Sequence, residues 1–290
     1  MKGRFGRGWR LAQDSWKVLR SDRSLAVFPI VGFLAGAAAL VLILAPGVGI
    51  AAAVDGWWPL IPFGIVALYA ATFATIYCGV GLAAASAKVM AGGDATLSDG
   101  LAAARERRGL IAKWALVQTT VGLVLNALQA LADSDNALVR LIGTLIVSAI
   151  GIAWSIASFF VIPVLAFENV GPKEALKRSA SIVKERWGEG VVGSASIGGI
   201  VFLLGMVPAG AVIAAGIFLV GGPAGIAIAV VGGIALLAAM VVGNALSSIF
   251  RVALYRYATT EETWAGFAAP DLAAAFGPKR HLGRKSVAAG

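Results

Sequence analysis

Twenty-three of the 24 Lys and Arg residues fall into four blocks, at 1–24, 88–113, 168–187 and 251–290, and only Arg140 stands outside them. Long apolar stretches with almost no charge separate the blocks. Basic residues of membrane proteins collect in short loops that stay on the cytoplasmic side. Four basic blocks joined by three pairs of apolar stretches describe an all-α, polytopic bundle of six transmembrane helices, with every basic loop and both termini on one side. The pattern constrains architecture and orientation far more tightly than chemistry.

Composition points the same way. Hydrophobic residues make up 59% of the 290 and charged residues 13%, with a mean hydropathy of +0.86. Soluble domains carry about 45–50% apolar and about 25% charged residues. A net charge of +9 also suits a nucleic-acid binder. Here the basic residues flank apolar stretches, so anionic inner-leaflet lipid is the expected partner and nucleic acid is not. One cysteine, Cys78, and one histidine, His281, leave no internal disulfide, no cysteine metal cluster and no histidine triad. No cofactor is expected. The first apolar run, Leu25 to Ala45, exceeds the short core of a cleavable signal, about 7–15 residues, and reads as a retained anchor.

A spanning helix needs about 20 mostly apolar residues. Six segments qualify: 25–47, 60–86, 110–131, 139–166, 190–213 and 225–250. They form a transmembrane domain at 25–258, between an interfacial segment at 1–24 and a cytoplasmic tail at 259–290. The connections away from the basic blocks are short: the first holds Asp55, Trp57 and Trp58, the second Asp133 and Asp135, and the third has no charge. Every Trp except Trp154 falls near a predicted interface, where amphipathic rings are best accommodated.

The N-terminal block repeats Phe5, Trp9, Ala12, Trp16 and Leu19 at helical spacing, with Arg7, Arg10, Asp14 and Lys17 on the other faces. Such a helix lies flat on a membrane surface, with order expected from about Trp9 because Gly3, Gly6 and Gly8 precede it. Similar segments, Ser98 to Gly109 and Lys173 to Trp187, precede the third and fifth spans. The pattern predicts three units, each a surface helix followed by a membrane hairpin, related about the membrane normal. LAPGVGIAAAV (44–54) and MVPAGAVIAAG (206–216) echo one another, with a Pro and clustered Gly late in a span. Such an echo fits a transporter's broken helices or a simple kink.

Small and polar residues form stripes: Thr144, Ser148, Gly151, Ser155 and Ser158 in span four, and Ala115, Thr119, Gly122, Asn126 and Gln129 in span three. Span one offers Gly32 and Gly36; span six offers Gly233, Met240, Asn244 and Ser247. Two uses fit these stripes: close helix packing, or a polar cavity with Asn126 and Asn244 as its marker residues. No ionisable residue sits centrally in any span, which argues against a proton-coupled pump or an ion channel with a charged filter. The carboxylates are scattered over loops, whereas acid–base catalysis needs two titratable groups at one substrate. An enzyme is not expected.

The most pointed polar feature is the end of span four, PVLAFENVGPKEALKRS. Glu168 follows the apolar helix directly, and Arg251 ends span six at the same depth, so these two are expected to pair at the cytoplasmic rim. PVLAFENVGPKEALKRSASIVKERWGE, with FRVALYRYATTEETWAGFAAPDLAAAFGPK (250–279) and SWKVLRSD near the start, resembles an uncharacterised family of six-span bacterial membrane proteins. It is more distantly similar to the membrane domain beside some glycerophosphodiester phosphodiesterases. The resemblance implies a six-span fold and no particular chemistry. Beyond span six, Pro270 and Asp271 open a short predicted helix, and Lys279, Arg280, Arg284 and Lys285 mark a basic tail. The expected protein is a non-enzymatic bacterial plasma-membrane scaffold or accessory protein; the alternative is a carrier or lipid-handling protein for a neutral or lipidic solute.

Overall fold

Hydropathy and helix length explain most of the architecture. The computed structural model describes residues 2–187, 199, 201–260 and 267. Its helices are α1 (Lys2–Ser21), α2 (Val27–Ala53), α3 (Leu60–Met90), α4 (Leu97–Glu106), α5 (Arg108–Ala132), α6 (Ala137–Ala157), α7 (Val161–Phe167), α8 (Pro172–Trp187), α9 (Val207–Ala215) and α10 (Gly222–Thr260). No strand occurs among the described residues. Among the described residues, six helical segments are long and apolar enough to cross a membrane: Arg23–Ala53, Leu60–Met90, Arg108–Ala132, Ala137–Phe167, Phe202–Val220 and Gly222–Thr260. The chain is an all-α polytopic bundle.

Most helices overrun their apolar cores. Span six continues ten residues past Phe250 to Thr260, because intrahelical hydrogen bonding does not stop where the hydrocarbon does. Phe267, within the segment expected to be a tail, is only 4% exposed and joins the core, so the fold extends past the last span. The predicted helix at Pro270, the basic tail and the start of span five lie outside the described residues. Helix α1 begins at Lys2, not near Trp9. The two Pro-Gly echoes also differ. Pro46 sits inside an unbroken helix, whereas π-turns at Phe202–Met206 and Gly216–Val220 flank the helix that holds Pro208.

Burial is uneven along the spans. The buried core gathers at the end where the basic blocks lie, with Leu25, Phe28, Leu82, Ile111, Phe160, Leu165, Ile249 and Leu254 fully enclosed. Away from that end, α6 buries no residue and packs on span three, while α9 packs on span six. The three hairpins are thus joined at the basic end and part toward the other.

Surface helices make the join. Helix α4 docks on span two, the last helix of the hairpin before it, and α8 docks on span four, the last helix of the second hairpin. Helix α1 docks chiefly on span six, the last helix of the third. The units therefore form a closed head-to-tail ring, with spans two, four and six in mutual contact. A small buried residue recurs at the same place on each docked face. Ser15, Gly100 and Ser179 each stand five positions before Arg20, Arg105 and Lys184, and all three are buried. The buried side of α1 carries Leu11, Ser15 and Val18 and also Ala12 and Leu19, two members of the face expected on the lipid, while Trp16 of that face stays 42% exposed beside Lys17.

Candidate functional site at the basic rim

Span four is not one straight helix. It breaks at Ser158–Phe160, and the Phe160 N–H freed by the break donates to Ser179 Oγ of α8 at 2.9 Å in a buried setting. Replacing this acceptor would strand a buried donor, at about 1–3 kcal/mol. Ser179→Ala is therefore expected to lower the thermal unfolding midpoint of the detergent-solubilised protein. An unchanged midpoint would mean the donor finds another acceptor.

The short helix α7 then carries the chain to Glu168, which is half-buried. Glu168 Oε1 accepts from Tyr255 Oη at 2.5 Å and from Arg178 Nε at 3.3 Å. Arg107, at the α4–α5 junction, donates to the Glu168 carbonyl at 3.0 Å and to Asn169 Oδ1 at 3.4 Å. The Glu168 carboxylate thus ties α7 to α8 and span six, and its main-chain carbonyl, with Asn169, adds the α4–α5 junction. Aromatic rings fill the space beneath: Phe167 stacks on Tyr255 at 5.8 Å, and Phe160 meets Phe159 edge-on at 4.8 Å.

The expected Glu168–Arg251 pair does not form. Arg251 lies over the Phe159 ring at 5.2 Å instead. Tyr255 and Arg251 share a helix face one turn apart, about 6 Å along the axis. Glu168 is level with Tyr255, so the hydroxyl takes the carboxylate and the guanidinium remains one turn nearer the membrane. The signal that sequence reasoning missed was Tyr255 at this helical offset.

The two asparagines do not converge either. Asn126 is exposed and donates to the Gly122 carbonyl of its own helix at 3.0 Å. Asn244 is exposed on span six. Other members of the small and polar stripes serve packing. Gln129 Nε2 donates to Thr144 Oγ1 at 3.1 Å, Trp154 Nε1 to Gln118 Oε1 at 3.1 Å, and Trp114 stacks on Trp154 at 5.8 Å. Gly32 and Gly36 face Cys78, Thr75 and Ala71 across the first hairpin.

A second polar cluster caps α4. Thr96 Oγ1 accepts from the Asp99 N–H at 3.2 Å, Asp99 Oδ2 accepts from the Thr96 N–H at 3.1 Å, and Lys88 Nζ sits 2.9 Å from Asp99 Oδ2. The Lys88 ammonium first, then the Thr96 donors, hold the Asp99 carboxyl below its ordinary value. A lowered folded-state value means the contribution is present above the ordinary carboxylate range and is lost as pH falls through the lowered value. This cluster should add no pH dependence between about pH 5 and 8. Thr96→Ala, which removes the cap itself, should cost about 1 kcal/mol across that range; unfolding midpoints recorded against pH check both.

No curated protein and no solved structure matches the chain. Nothing in these comparisons supports the expected likeness to the phosphodiesterase-associated membrane domain. The rim segments, from the α4–α5 junction through Glu168 to Tyr255, all lie within the stretch matched by one family model, and on that match over residues 54–267 the chain belongs to the family of unknown function DUF6159.

Proposed function

We propose that this protein is a non-enzymatic scaffold or envelope-associated accessory protein of a bacterial plasma membrane, with its basic end and both termini in the cytoplasm. The observation that carries the reading is the closed ring at the basic end. Surface helices lock the hairpins together there, and the one carboxylate at its centre is already engaged by Tyr255 and Arg178. General acid–base work needs titratable groups directed at a substrate; this arrangement directs them at each other. Orientation follows from the placement of Lys and Arg, and anionic lipid is the expected partner of the basic end.

One observation favours a second reading. Away from the basic end α6 buries no residue and leaves apolar side chains such as Ile152 and Leu145 exposed, a surface of the kind a handler of lipidic solutes would require. Vesicles reconstituted with the purified protein and a fluorescent phospholipid distinguish the two. A scaffold leaves lipid exchange between leaflets at the protein-free rate, and accelerated exchange would replace it with the lipid handler. Orientation is tested by Lys285→Cys in a Cys78→Ala background. The new thiol should resist a membrane-impermeant maleimide in intact cells, and labelling there would invert the topology.

A further inference from the structure

We propose that α8 is a lipid-responsive clamp on span four. A stripe of three lysines meets anionic phospholipid, and the neighbouring Arg178 and Ser179 hold both ends of the segment that follows the kink. The proposal rests on the reading of the chain as a lipid-embedded bundle with anionic lipid at its basic end. It adds the surface that meets the lipid and the moving part that this contact controls.

Two adjacent side chains make the clamp. In an unbroken helix the Phe160 N–H would donate to the Ile156 carbonyl. Here the Phe159 N–H takes that carbonyl at 3.3 Å, and Ser179 Oγ receives the Phe160 N–H at 2.9 Å. Just past the other end of α7, Arg178 Nε donates to Glu168 Oε1 at 3.3 Å. Pro163, inside α7, has no N–H for the Phe159 carbonyl, so the helix does not straighten itself. Beyond the kink α6 buries no residue, and α5, on which it packs, buries none past Thr119. Segments with few buried contacts are the ones that move at low cost. The outer half of the second hairpin is therefore an arm, and α8 sets its angle.

Charge complementarity selects the lipid. Ala175, Ser179, Ile182 and Val183 are buried and form the docked face of α8. Lys173, Lys177 and Lys184 recur at steps of four and seven, so they share one stripe away from that face. All three are exposed, and among the described residues none of them forms an ion pair. Glu174 and Glu185 fall on a different stripe. A helix at the membrane surface with its cations aligned in this way is held by anionic headgroups. Held there, α8 keeps Arg178 and Ser179 seated on α7. A surface cation such as Lys17, paired with Asp14 on its own helix, has no such link to a span.

Distances between two nitroxide labels, measured by double electron–electron resonance in nanodiscs, test the clamp. The labels go on Leu138→Cys, near the far end of α6, and Trp57→Cys, at the far end of the first hairpin, in a Cys78→Ala background; Leu138 and Trp57 are 65% and 73% exposed. The arm from the kink to Leu138 is about 30 Å long, so a change of about 20° in the kink moves its end by about 10 Å. Phosphatidylglycerol should give one distance, and phosphatidylcholine should add a second population displaced by about that much. Lys173→Gln/Lys177→Gln/Lys184→Gln should show the second population in phosphatidylglycerol too. Arg20→Gln/Arg23→Gln/Arg105→Gln removes as many exposed charges elsewhere and should behave as wild type. Ser179→Ala should show the second population in both lipids, and Arg178→Gln gives the same reading where the alanine variant fails to fold. One distribution in both lipids for wild type, a wild-type response from the lysine variant, or an equal loss in the arginine control overturns the lipid contact. The wild-type response in both Ser179→Ala and Arg178→Gln overturns the clamp. A chain that does not enter nanodiscs would instead sink the lipid-embedded reading, and this is seen before any distance is measured.

Discussion

Gly100→Val is expected to destabilise the protein by about 3 kcal/mol, the upper end of the usual cost of overpacking a core, and to reduce its yield in membranes. Gly100 lies where α4 crosses span two. A β-carbon there would meet the Gly81 carbonyl oxygen at 2.6 Å and collide with the ring of Phe28. Phe28 is fully buried and has no room to withdraw. Across the contact, a β-carbon on Gly81 would come within 3.1 Å of the Gly100 carbonyl oxygen. Two backbones therefore touch, and neither side has a flexible chain end to yield. Valine adds two methyl groups to the same collision, so α4 must lift from span two, and Lys88 then separates from Asp99. Gly122→Ala is the matched control. Nothing lies within 4 Å of its β-position, and exchanging Gly for Ala in a helix favours the helix. Thermal unfolding followed by tryptophan fluorescence compares the pair. Similar midpoints for the two variants would show that the α4 contact is not a fixed part of the fold.

The number of spans and the common side of the basic blocks were legible because both follow from residue type alone: apolar length for the first, Lys and Arg placement for the second. The ends were less legible. Helix α10 runs through Arg251, Tyr255 and Arg256 to Thr260, since a helix that has left the hydrocarbon loses no hydrogen bonds by continuing. The docked face of α1 was ambiguous for a different reason. Lipid and protein both accept apolar side chains, so periodicity picked out the Phe5, Trp9, Ala12, Trp16 and Leu19 face as lipid-facing, although Ala12 and Leu19 join the core together with Leu11 and Val18. Ser15 was the available clue, because a small residue five positions before a basic one also marks the docked face at Gly100 and Ser179. The break in span four was legible in part. Pro163 has no N–H for the Phe159 carbonyl and its ring crowds that carbonyl, which marks the place; the acceptor that completes the break, Ser179, comes from the next surface helix and was not legible. Glu168 was legible as a rim residue, but its partner was not. Depth inferred from sequence is good to about a turn, and one turn separates Arg251 from Tyr255.

That one-turn difference yields the other large effect. Glu168→Ala is expected to cost about 3 kcal/mol, and most of it should come from Tyr255. The Arg178 link is modest: at 3.3 Å, with its two side chains 47% and 27% exposed, it falls in the class of surface ion pairs worth about 0–1 kcal/mol. The tyrosine link is stronger, since Tyr255 is 4% exposed and its hydroxyl donates to a charged acceptor, a bond worth about 1.5–3 kcal/mol. Removing the carboxylate leaves that hydroxyl without its acceptor between Phe160 and Phe167. Tyr255→Phe removes the donor and keeps the ring, so Glu168→Ala should cost much less in that background. A double-mutant cycle for Glu168 and Tyr255 should therefore return a coupling of about 1.5 kcal/mol or more, within the range for residues in contact. The same cycle for Glu168 and Arg251 should return about zero, because the guanidinium rests on Phe159 and shares no hydrogen bond with the carboxylate. A large coupling to Arg251 with none to Tyr255 would restore the charge pair at the rim.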